Sequence, residues 1–198
     1  MMGNTERSYD ALSGIDPARL IRVQVKELPQ LFNSIDPSSL SEKDLDAQAE
    51  QFIVGWAKDL KASRAPLALE ITAQRPSALD GVRDAVQEAV HAHFKRREEE
   101  RGRDLRELFR RGRISLAVGL VFLASSTVLA SLISTRIPDS TVADIVRQGL
   151  TVGGWVAMWR PLEIFLYAWW PIAGERRLYR RLGAMPVIVR VLPDAGSA

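Results

Sequence analysis

Residues 114–133 read ISLAVGLVFLASSTVLASLI, 20 consecutive residues without a single charge. A helix needs about 20 apolar residues to cross the hydrocarbon core of a bilayer, so this stretch predicts a transmembrane helix. Thr135-Arg136-Ile137-Pro138-Asp139-Ser140 follows as a turn. Pro138 ends one helix, and Asp139 or Ser140 can cap the next. A second apolar run covers 149–172 and closes on Tyr167-Ala168-Trp169-Trp170-Pro171. Tyr and Trp are amphipathic rings that settle at the headgroup level. Two runs joined by so short a turn predict a transmembrane helical hairpin.

Arginines flank this unit at both open ends. Arg103, Arg106, Arg110, Arg111 and Arg113 precede the first run, and Arg176, Arg177, Arg180 and Arg181 follow the second. Cytoplasmic flanks carry an excess of Lys and Arg, so both ends are expected in the cytoplasm of a bacterial inner membrane, beside anionic headgroups. A buried hairpin in a soluble protein would not explain basic clusters at both ends. Residues 1–94 hold 10 Lys/Arg against 14 Asp/Glu, and residues 95–198 hold 17 against 10, so the halves carry −4 and +7. The acidic half reads as a soluble domain, which argues against nucleic-acid binding.

Working back from the membrane, residues 96–113 form a charged stalk. Helical spacing of Val82, Val86, Ala89, Val90 and Phe94 runs into it from a start near Ser77 or Asp80. Only Gly102 interrupts, at a cost of about 1 kcal/mol relative to alanine. Arg96–Glu100 and Arg97–Glu100 are expected to support the helix there. Residues 20–95 read as a small β-α-β-α domain. Ile21 to Lys26 and Leu67 to Thr72 alternate as strands. Between them, Ser41 marks a helix start, with Leu45, Ala49, Phe52, Ile53, Trp56 and Leu60 as its buried stripe and Ala65-Pro66 as its stop. Two strands alone are marginal. Val187, Val189 and Val191 alternate in the tail, 173–198, and residues 187–191 are expected to supply a third strand. Residues 1–19 read as a polar tail, and 134–148 as an extracytoplasmic turn and helix start. The fold class is therefore α+β, with a cytoplasmic domain joined by a long helix to the hairpin.

Within the membrane runs, Gly149, Gly153 and Ala157 recur every four residues, matched by Ser126, Ala130 and Ser134. Small residues at that spacing let helix backbones approach closely, for packing within the hairpin or between copies. Arg160 and Glu163 stand inside the second run, around the kink-forming Pro161. Counting from Gly149 at 1.5 Å per residue puts Arg160 near mid-membrane or slightly to its cytoplasmic side. A charge there costs at least about 2.5–3.5 kcal/mol and persists only if paired or wetted. The i,i+3 spacing allows an ion pair between them. Its role is structural, or else an ion, proton or headgroup site. Pro161 also frees the carbonyl of Ala157. Tyr167, Trp169, Trp170, Arg110, Arg111, Arg113, Arg176, Arg177, Arg180 and Arg181 are the expected lipid-interface residues. His91 and His93 read as ordinary surface or part-buried residues, because a helical metal pair prefers i,i+4. The chain has no cysteine and no nucleotide-binding, hydrolase or zinc-protease motif. No catalytic, metal or cofactor site is expected.

The run Gly153 to Tyr167, GGWVAMWRPLEIFLY, followed by Trp169-Trp170-Pro171, resembles the signature of a family of uncharacterised bacterial two-span membrane proteins. The resemblance extends over Asp44 to Trp56, Gly112 to Leu116 and Arg176 to Val189. It implies the two-span architecture and no particular activity. Where this chain has Ala168, the resemblance leads one to expect an acid. The expected function is that of a small membrane adaptor or accessory subunit with a protein partner or a second copy. The alternative is an oligomeric ion or small-solute transport element using Arg160 and Glu163, and a lipid-directed enzyme is a third possibility.

Overall fold

The computed structural model describes residues 20–60, 67–74, 82–136 and 141–191. The chain is mixed α+β and divides into two compact units, Met1–Glu99 with Glu175–Ala198, and Glu100–Gly174. In order, the elements are β1 (Leu20–Val25), a 3-10 turn (Leu28–Leu31), α1 (Ala47–Asp59), β2 (Ala68–Ala73), α2 (Val82–Arg136), α3 (Thr141–Ala157), α4 (Trp159–Glu163), a π-helical turn (Ile164–Ala168), α5 (Trp169–Gly183) and β3 (Val187–Val191).

The first unit is built on a three-stranded, wholly parallel sheet in the order β1-β2-β3. Ile21 faces Leu69, Val23 faces Ile71, and Leu69 faces Val187. β2 is the central strand, and five of its six residues are buried. That is why LALEIT is apolar almost throughout rather than cleanly alternating. The expected third strand forms from residues 187–191, pairing with β2 and not with β1. Parallel strands need long crossovers. Here α1 joins β1 to β2, and the whole of α2 to α5 separates β2 from β3.

α1, α2 and α5 share one core with the sheet. Val86, Ala89, Val90 and Phe94 of α2 are fully buried, as their spacing predicts, and meet Leu178, Tyr179, Leu182 and Met185 in one core with Ile53 and Ala57. Phe94 stacks on Tyr179 at 6.4 Å between centroids. His91 Nε2 lies 2.8 Å from the Met185 carbonyl, which ties α2 to the turn that launches β3.

The helix after β1 begins later than Ser41. Residues 41–46 are irregular, Leu45 bridges Phe32, and Asp46 is the N-cap, accepting from the Gln48 amide at 2.9 Å. Leu45 is needed in the core, so the chain stays extended one step longer. The buried face of α1 is Glu50, Ile53, Val54 and Ala57, while Phe52 and Trp56, expected inside, are 45 % and 49 % exposed. The expected stop at Ala65-Pro66 and start at Ser77 or Asp80 lie outside the described residues, as does the Pro138 turn.

α2 runs 55 residues without a break, passing Gly102. In the second unit, its later part lies alongside the segment from α3 to the π turn. Contacts run in opposite order along the two: Ser134 with Arg147, Leu123 and Ser126 with Gly154, Gly119 with Ala157 and Met158, and Gly112 with Ile164 and Phe165. The second apolar run is not one helix. Pro161 has no amide to return to Ala157, the chain turns at Met158, and the π turn follows. A π turn leaves a backbone carbonyl without its usual partner. The Trp169 indole donates to the Phe165 carbonyl at 2.9 Å.

Candidate functional site

Three places carry chemistry. The first is a polar cluster that the sequence did not signal. His93, on the buried face of α2, is 3 % exposed. Its Nδ1 lies 3.0 Å from Asp44 Oδ1 and 3.3 Å from the Leu45 amide, and Nε2 lies 3.4 Å from Glu50 Oε2. Nδ1 cannot both donate to the carboxylate and accept from the amide, and the shorter contact favours Asp44. Arg97 donates to Glu50 at 2.6 Å, and Arg96 donates to Asp44 at 2.7 Å and to the Glu42 carbonyl at 3.1 Å. The arginines expected to pair along the stalk therefore reach across to the 42–50 segment. Burial opposes the Asp44 charge, but the hydrogen bonds from Arg96 and His93 outweigh it and hold its carboxyl below the ordinary value. Asp36 is held lower, at about 2, by the Ser38 hydroxyl and by the amides of Ser38 and Asp44. Asp44 and Glu50 each have a guanidinium partner on α2, so the arrangement fastens the segment around them to that helix. Among the described residues no group of His, Asp and Glu is set to hold a metal.

The second place is the paired helical segment. Arg160 and Glu163 make the expected ion pair, at 2.9 Å, with side chains 70 % and 46 % exposed. The pair lies between the Gly112–Ile164 and Gly119–Ala157 contacts, alongside residues 113–118 and therefore beside the basic end of the first apolar run. Pro161 is fully buried. Of the glycines of the second run, the one in close contact is Gly154, where an added Cβ would stand 2.8 Å from Leu123 Cδ1. A Cβ added at Gly149 or Gly153 would meet nothing within 4 Å among the described residues, so the expected close approach is not made at these two. Ser126 and Ala130 are buried as expected. The Ala157 carbonyl, freed by Pro161, lies 3.1 Å from the Cβ position of Gly119, and Arg160 turns to Glu163 instead.

Several of the arginines expected at a lipid interface have protein partners. Arg110 and Arg111 both bind Glu107, and their guanidinium groups, Arg110 foremost, hold that carboxyl down at about 2. Arg176 and Arg180 converge on Glu98, pinning α5 to α2. Arg177 and Arg181 also have partners, while Arg113 is exposed. Tyr167 and Trp170 are 67 % and 60 % exposed, and Trp169 packs edge-on against Trp170.

The third place is an open groove of about 480 Å³ between the free edge of β1 and the start of α1. Val23 to Lys26 line it from β1, Gln30 and Leu31 from the 3-10 turn, and Asp46, Gln48, Ala49 and Phe52 from the N-cap and first turns of α1.

The chain matches no family model, no curated protein and no solved structure.

Proposed function

We propose that this protein is a membrane-anchored adaptor or accessory subunit, with the paired helical segment as a two-span hairpin and the sheet-bearing unit as its cytoplasmic interaction module. One observation carries the reading. The most apolar 18 residues of α2 are long and apolar enough to cross a membrane, yet only 17 % of them are buried. A core helix of a soluble protein would be mostly covered, whereas Val118, Val121, Phe122 and Leu129 stand exposed. Exposed apolar surface on this scale calls for a partner or a bilayer. The exposed rings of Tyr167 and Trp170 at the far end of the pairing suit a headgroup layer, as does the resemblance of residues 153–171 to two-span proteins. Both open ends, being arginine-rich, belong on the cytoplasmic side of a bacterial inner membrane. Asp44 and Glu50 are used in fastening the fold through Arg96 and Arg97, which favours an adaptor over an enzyme. Affinity purification of the full chain from its native membrane is the test. A stoichiometric partner of a different sequence supports the reading, and a homo-oligomer without one defeats it.

A second reading, an oligomeric transport element using Arg160 and Glu163, draws on the exposure of that pair. Its level beside residues 113–118 favours a site at the membrane border over one in a mid-bilayer path.

A further inference from the structure

The helix α1 is wider in its apolar face than the sheet it covers. Ile53, Val54 and Ala57 are buried, while Phe52 and Trp56, one turn apart with ring centroids 6.3 Å apart, are left half-exposed. Phe52 and Ala49 line the groove that β1 also lines. β1 is an outer strand, paired on one side only. The Val25 carbonyl accepts from Gln74 on the β2 side at 3.1 Å. By the alternation of a parallel ladder, Arg22 and Gln24 then turn their N–H and C=O groups to the open edge. The Lys26 amide, next in that series, is already taken by Gln30 Oε1 at 3.2 Å.

We propose, resting on the adaptor reading, that this groove receives an extended peptide as a fourth strand on β1, with apolar side chains alternating under Ala49 and Phe52 and acidic side chains on the opposite face. The backbone edge asks for a strand, and the overhanging aromatics ask for apolar side chains on its helix-facing side. Charge selects the rest. The other face of β1 presents Arg22, Gln24 and Lys26 in a row. The carboxylate beneath, Glu70, is shared between Arg22 at 3.3 Å and Arg190 at 2.8 Å. Opposite charges across neighbouring strands attract and like charges repel. An acidic strand complements this row, whereas a second copy of β1 would bring its own Arg22 and Lys26 against it.

The test uses the full chain in detergent and three synthetic heptapeptides: alternating Val and Glu, alternating Val and Lys, and the Val/Glu peptide with a central proline. Binding is read by protection of the Arg22 and Gln24 amides from hydrogen exchange. The Val/Glu peptide should bind, with the other two at least about tenfold weaker. Gln24→Pro removes an outward N–H but no ladder bond, and Phe52→Asp spoils the apolar wall. Each should abolish binding while leaving the far-ultraviolet dichroism unchanged. Equal binding of all three peptides, no protection at Arg22 and Gln24, or a β1–β1 homodimer trapped by Gln24→Cys oxidation would each overturn the proposal. Repeating the affinity purification with Phe52→Asp separates the two claims. A partner retained by both parent and variant leaves the adaptor reading standing and sinks this site. No partner with either sinks the adaptor reading itself.

Discussion

At the scale of single residues, two neighbouring glycines do opposite things. A side chain at position 154 would enter the space of Leu123 and Ser126, but one at 153 would meet nothing. Gly154→Val should therefore destabilise the detergent-solubilised protein by about 1–3 kcal/mol, the usual cost of forcing atoms into a packed contact. Gly153→Ala should be neutral or raise stability by up to about 1 kcal/mol through helix propensity. Thermal unfolding of the two variants side by side decides it, and equal losses would mean that residue 153 is also covered. A second residue-scale expectation concerns acid. Asp36 falls from its ordinary 3.8 to about 2, and Asp44 is also depressed. A depressed carboxyl contributes stability above its unfolded value that is lost as pH falls through the folded one. The 33–46 segment should therefore loosen first as pH drops from about 4 toward 2, seen as faster hydrogen exchange at the Ser38 and Asp44 amides. In Asp36→Asn that acid-dependent change at Ser38 should disappear.

At the scale of elements, the strands and the buried face of α2 were legible because each is a local pattern. Val86, Val90 and Phe94 repeat at helical spacing, and Val187 to Val191 alternates. The start of α1 was not legible. Ser41-Glu42-Lys43-Asp44 has the composition of a helix start, but tertiary demand on Leu45 and on Asp44 overrides it, and Asp46 caps instead. The His93 cluster was hidden because its acids lie more than 40 residues away in sequence. In the second apolar run, periodicity could not choose between Gly153 and Gly154. The π turn also adds a residue to one turn, which rotates everything beyond it by about 100° relative to a regular helix. The continuity of α2 through Gly102 was legible, since only one glycine interrupts a strong helical pattern. Limited proteolysis under native conditions should accordingly leave 96–106 uncut, although the segment holds five arginines open to trypsin by sequence. Cleavage there would show that the helix breaks at the boundary between the two units. The ion pair of Arg160 and Glu163 belongs at this scale too. Beside the basic end of the first run and exposed, it should behave as a surface pair worth under about 1 kcal/mol. Single Arg160→Leu and Glu163→Leu variants that each lose about 3–5 kcal/mol, with rescue in the double variant, would instead place it in a desolvated setting.

At the scale of the whole molecule, the question is which surfaces face water on which side, and the sequence supplies an unusual convenience. With no cysteine in the chain, every introduced thiol reports its own position. Ser34 and Ala184 are exposed positions of the sheet-bearing unit, and Thr141 is an exposed position at the start of α3, between the two apolar runs. In a two-span hairpin the first two share one side of the membrane and the third takes the other. Ser34→Cys and Ala184→Cys should react with a membrane-impermeant maleimide in inside-out vesicles and be protected in right-side-out ones, while Thr141→Cys should show the reverse. The arginine bias predicts this order, because in the proposed orientation Arg103 to Arg113 and Arg176 to Arg181 keep both open ends on the cytoplasmic side. Labelling of all three from one side would defeat the two-span reading. The exposed apolar face of α2 would then need a protein partner rather than lipid, and the copy number of the purified complex would become the quantity that explains it.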